Sequence, residues 1–182
     1  MPRLSLTFLL AVITGAAIVL VAALVRKPES KTPSSARELV AGIWISEQVT
    51  AAELIDFKSK GFKSIIDLRP DGEVKDQPSS AAVERAARES GLAFEYVPVP
   101  HGDIPSAQVE ALAVSLGKVE RPVVLYCRSG RRAAWTWALS EASQPSGLAA
   151  EAIHAALASA GQPADDLGPE ISARIAARQP LP

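Results

Sequence analysis

The run Pro122-Val123-Val124-Leu125-Tyr126 is apolar throughout, as expected of a central strand buried on both faces, and it leads straight into Cys127-Arg128-Ser129-Gly130-Arg131-Arg132. The pattern then continues as a helix over residues 131–142, burying Trp135 and Leu139. A strand, a glycine-containing turn and a helix N-terminus bring successive backbone N–H groups around one concavity, which attracts anions. Arg128, Arg131 and Arg132 all lie within five residues of the thiol. Positive charge and a helix N-terminus both favour thiolate over thiol. Gly130 can adopt a backbone conformation that other residues resist, and Ser129 is placed to hydrogen-bond the thiolate or a leaving group. Cys127 is therefore the candidate nucleophile. Arg128, Ser129, Gly130 and Arg131 are candidate substrate-binding residues.

Strand and helix patterns alternate around this segment. Ile43-Trp44-Ile45 reads as a short strand, and Thr50 with Glu53 forms a capping-box pair opening a helix that Gly61 ends. Residues 62–68 contain Ile65-Ile66 and read as a buried strand, followed by the turn Arg69-Pro70-Asp71-Gly72. Ser79-Ser80 caps a helix running through Glu89. Residues 94–99 form the next strand, a loop holds His101-Gly102-Asp103-Ile104-Pro105, and a helix spans about 106–116. Beyond residue 142 only helical patterns occur, over 148–160 and 169–178. Alternating elements predict an α/β fold with a mostly parallel sheet flanked by helices, plus extra C-terminal helices.

The chain has three predicted segments. Leu4 to Val25 carries no charged residue across 22 positions and, as a helix, would span roughly 33 Å, enough to cross a hydrocarbon core. Residues 1–26 are thus expected to be a transmembrane anchor or signal-anchor; a cleaved signal peptide is the alternative, since Val21-Ala22-Ala23 offers small residues to a peptidase. Residues 27–38 are polar, hold two prolines and read as a linker. Residues 39–182 form the α/β domain. Counting Lys and Arg around the span places that domain on the cytoplasmic side of a single-pass membrane protein.

A formal net charge of −1 gives no sign of a nucleic-acid partner. One cysteine and two histidines make a structural zinc site improbable, and no metal or cofactor is expected.

From Gly42 to about Ser140 the chain resembles the phosphatase-like domain family of beta-lactamase hydrolase-like proteins. The resemblance rests on Arg69-Pro70-Asp71-Gly72-Glu73, on Gln77-Pro78-Ser79-Ser80 before a helix, and on Tyr126-Cys127-Arg128-Ser129-Gly130. It implies a fold related to cysteine-dependent dual-specificity phosphatases, a nucleophile at Cys127 and an anion-binding arginine at Arg132. Such phosphatases place five residues between cysteine and arginine, whereas Arg132 follows after four. That shorter loop is similar to the rhodanese-type sulfurtransferase loop.

Ester hydrolysis with a poor leaving group needs a proton donor. Asp103, in the loop before the helix that precedes Cys127, is the candidate, with His101 second. Asp67 and Asp71 could line the same face, Asp71 more simply as a turn residue. The expected function is cysteine-dependent hydrolysis of an anionic or phosphorylated substrate. The alternatives are sulfur transfer through a Cys127 persulfide and non-catalytic anion binding. Arg174 and Arg178, four apart, read as a solvated helix face.

Overall fold

A computed structural model of the chain describes residues 35–178. Five strands form one sheet: β1 (Arg37–Val40), β2 (Ile43–Ser46), β3 (Ser64–Asp67), β4 (Ala93–Tyr96) and β5 (Val123–Tyr126). Their order is β1-β2-β5-β3-β4, and every pairing is parallel except β1 with β2. The helices are α1 (Ala51–Ser59), α2 (Ser80–Glu89), α3 (Ser106–Lys118), α4 (Arg131–Ser143), α5 (Ala150–Ser159) and α6 (Gly168–Ala176), with a short 3-10 turn at Asp165–Leu167. The expected α/β architecture with a mostly parallel sheet is present.

The period-2 alternation of β5 divides the core between the two sheet faces. Val123 and Leu125 point to the side where Val109, Leu112, Trp137, Leu157 and Ile171 pack, from α3 to α6. Val124 and Tyr126 point to the other side, against Leu54 and Phe57 of α1 and Val83 of α2. All four β5 residues are buried, which explains the apolar run.

Local capping signals hold where they were read. Thr50 and Glu53 form a capping box on α1, and the Ser79 side chain accepts from the Ala82 amide at the start of α2.

Four expectations need correcting. Strand β1 begins at Arg37, inside the stretch read as linker; its polar residues Arg37 and Glu38 pair antiparallel at the sheet edge, where both stay exposed. The fully buried tryptophan of α4 is Trp137, whereas Trp135 is half-buried. The strand read over 94–99 stops at Tyr96, with Pro98 beyond it lacking a donor for the ladder. Nor are Arg174 and Arg178 a solvated face. Arg174 bonds Glu170, Ser143 and Ser106, and Arg178 donates to the carbonyls of Glu141, Ala142, Gly147 and Leu148, fastening α6 to the C-terminal end of α4.

Among the described residues, no helix is long and apolar enough to cross a membrane. The apolar span 4–25 and the linker up to residue 34 lie outside the described residues.

Candidate active site

The segments that follow the carboxyl ends of β5 and β4 line one cleft, as expected for ligand sites in parallel sheets. Cys127 follows β5 directly and is buried at the cleft floor. The cleft encloses about 300 Å³ and is lined by Cys127, Arg128, Ser129, Arg131, Arg132 and Trp135 on one side. His101, Gly102 and Ile104 of the loop after β4 close the other side.

The turn after Cys127 works because of Gly130, the N-cap of α4, which sits at φ 84°. A Cβ there would also lie within 3.2–3.4 Å of the Arg37 guanidinium, the Gln162 amide and the Ser46 carbonyl. The Gly130 carbonyl accepts from the Ala134 amide at 2.9 Å, so helix α4 starts immediately and its N-terminus faces the cysteine loop.

Arg132 is held from three directions. Its Nη1 donates to the Val99 carbonyl at 2.9 Å and to the Leu68 carbonyl at 3.5 Å, and its Nη2 donates to Glu73 Oε1 at 2.6 Å. This leaves the Nε–H and one Nη2–H without an acceptor among the described residues. Glu73 also accepts from Arg69 Nε at 2.9 Å, and Arg69 Nη1 donates to Gln48 Oε1 at 2.7 Å. Burial works to raise the Glu73 carboxyl, but the hydrogen bonds and charges of Arg69 and Arg132 outweigh it and hold it below its usual range. Glu73 thus stays ionised between two arginines.

Asp67 ends β3 beside Tyr126 and is buried. Its Oδ1 accepts from the Arg69 amide at 2.8 Å, yet burial dominates and pushes its carboxyl up to about 6. Burial, and then the neighbouring Asp67 carboxylate, likewise raise the Tyr126 phenol, whose hydroxyl has no hydrogen bond of normal geometry. Asp71 is a structural tie: its carboxylate accepts from the Ser80 amide at 2.6 Å and the Ser80 hydroxyl at 2.8 Å. Arg69 hydrogen-bonds Asp67 only through its backbone; its side chain serves Glu73 and Gln48.

Of the expected site residues, the structure gathers Cys127, Arg128, Ser129, Arg131 and Arg132 around the cleft, whereas Gly130 is buried and does not line it. Asp103 lies on the facing loop, exposed, between the lining residues Gly102 and Ile104. Arg131 stacks its guanidinium 3.9 Å from the centroid of the Trp135 ring. Sequence reasoning missed the part of Glu73. Its signal was its place in the Arg69-Pro70-Asp71-Gly72-Glu73 motif after β3, and nothing there points to an arginine 59 positions later.

Residues 35–144 match the model of the phosphatase-like domain of beta-lactamase hydrolase-like proteins. The chain belongs to this family. A beta-lactamase hydrolase-like protein of Xylella fastidiosa is 43% identical over 97 residues, covering 53% of this chain and 22% of that protein. The chain therefore spans about a fifth of the length of the curated relatives it matches. A Neisseria meningitidis protein described as a candidate phosphatase superposes with a TM-score of 0.68 at 28% identity, over 79% of this chain and 99% of that one. The core catalytic domain of a PP-IP phosphatase from S. cerevisiae, solved with citrate, has the same fold (TM-score 0.56, 18% identity, covering 81% and 86%). The phosphatase-like domain thus has the fold of these solved phosphatases. No finding supports the sulfurtransferase alternative; α4 of this phosphatase-like domain is followed by helices α5 and α6.

Proposed function

We propose that this domain is a cysteine-dependent phosphoester hydrolase. The observation that carries the reading is Cys127 at the floor of a cleft rimmed by Arg128, Arg131 and Arg132, where a glycine turn enters helix α4. The Cys127 thiolate attacks phosphorus as the bond to the leaving oxygen breaks. The loop amides and the two uncommitted N–H groups of Arg132 carry the charge on the non-bridging oxygens. Asp103, on the loop across the cleft, gives its proton to the leaving oxygen. Water then attacks the phosphocysteine, losing its proton to the Asp103 carboxylate, which releases phosphate and restores the thiolate. The apolar span 4–25 would hold this domain at a membrane, an inference that rests on its 22 uncharged residues.

The full chain, assayed for phosphate release from an aryl phosphate, should turn over and lose that activity with Cys127→Ser. Phosphate or sulfate that raises the melting temperature without any turnover would point instead to a non-catalytic anion-binding module. Persistent turnover in Cys127→Ser would overturn the cysteine mechanism.

A further inference from the structure

The C-terminal helices lie beyond the family match, which ends at residue 144, yet a residue of the loop that joins them touches the cysteine loop. The Gln162 Nε2 donates to the Ser129 carbonyl at 3.1 Å. Its position is set by the end of α5. Gly161 is left-handed, its amide bonds the Ala158 carbonyl at 3.0 Å, and the Gln162 amide bonds the Leu157 carbonyl at 2.8 Å. This paired closure is a Schellman motif, which fixes the chain direction leaving the helix.

A peptide bond is planar and trans, so its C=O and N–H point opposite ways. Holding the Ser129 carbonyl on the Gln162 side of the loop turns the Gly130 N–H to the other side. The preceding peptide is held alike: the Arg128 carbonyl accepts from the Gln48 amide at 3.5 Å, turning the Ser129 N–H away from Gln48. Gln48 and Gln162 do not line the cleft, nor does the buried Gly130, whereas Arg128 and Ser129 do.

We infer that Gln162 is a positioning residue for the anion site: from the C-terminal extension it locks the Ser129–Gly130 peptide with its N–H facing the oxyanion. The α5–α6 segment is therefore part of the binding apparatus. It is fastened to both ends of α4, by Gln162 at the cysteine loop and by Arg178 at the far end. This inference rests on the phosphatase reading above.

The test uses the full chain with tungstate as an oxyanion probe, and Gln162→Met, which keeps the side-chain length without a donor. Tungstate affinity should fall about three- to tenfold. KM for an aryl phosphate should rise more than kcat falls. The anion-free melting temperature should stay within about 2 °C of wild type. Gln162→Asn, too short to reach the carbonyl, should behave in the same way and covers the case in which Gln162→Met folds poorly. A variant that melts as wild type and binds tungstate with unchanged affinity overturns the inference alone, as does a lower melting temperature with unchanged affinity. Wild-type protein that binds no tungstate overturns the phosphatase reading itself.

Discussion

Glu73 and Arg132 meet through a 2.6 Å ion pair beneath the cleft, and the same carboxylate holds Arg69 at 2.9 Å. The three side chains expose only 5–17% of their surface, so the pairs are poorly screened by water. Glu73 fixes the direction in which Arg132 presents its remaining N–H groups.

Removing that carboxylate leaves two buried guanidinium groups without a counter-charge. Glu73→Ala is expected to destabilise the domain by about 3 kcal/mol and to lower kcat/KM about tenfold or more by letting Arg132 move. Denaturant titration and steady-state kinetics check the two effects separately. An unchanged kcat/KM in folded variant would show that Arg132 needs no such support.

Asp67 makes stability depend on pH with a defined sign. Its folded-state value is about 6, above the ordinary 3.8, so the folded protein binds the extra proton between those values. Its contribution is fully present below about 4 and is lost as pH rises through 6. Asp67→Asn removes the ionisation. Its stability relative to wild type should therefore rise between pH 4 and pH 8, by at most about 3 kcal/mol. Paired denaturant titrations at the two pH values measure this, and a difference that stays flat would rule it out.

Trp135 holds Arg131, whose guanidinium lies 3.9 Å from the ring centroid at the cleft wall. Trp135→Leu keeps an apolar side chain but frees the arginine. A cation–π contact at a partly exposed site is worth about 0.5–1 kcal/mol, so KM for an anionic substrate should rise roughly two- to fivefold with kcat little changed. Equal KM values would leave Arg131 without a part in binding.

Asp103, as proton donor, should matter in proportion to the need for a proton. Asp103→Asn is expected to lower kcat by roughly 10²-fold or more for an alkyl phosphate and far less for a nitrophenyl phosphate, whose leaving group departs as a stable anion. Comparing the two substrates decides it. If His101→Ala, and not Asp103→Asn, shows this split, the histidine lining the cleft is the donor.

Much of the fold is legible locally. The run Val123–Tyr126 has no charged residue because both sheet faces are covered, and Thr50, Glu53 and Ser79 mark helix starts through bonds spanning three residues. Strand β1 was hidden because its first two residues, Arg37 and Glu38, are both polar and both exposed at the sheet edge, so the strand shows no apolar alternation. Trp135 and Trp137 could not be ranked from spacing alone, since α4 is buried over most of its circumference.

By itself, the sequence determined the cysteine loop. The order Cys127, Gly130, Arg132 between a strand and a helix dictates a tight turn into a helix N-terminus, because successive backbone amides and a left-handed glycine are local consequences of chain direction. Only the tertiary structure decided what holds that loop in shape. Glu73 reaches Arg132 because β3 lies beside β5, and Gln162 reaches Ser129 because α5 and α6 fold back along α4. Hydrophobic periodicity records which face of a strand or helix is buried. It does not record which distant segment covers that face, so the partners of Arg132 and Ser129 emerge only when the elements pack.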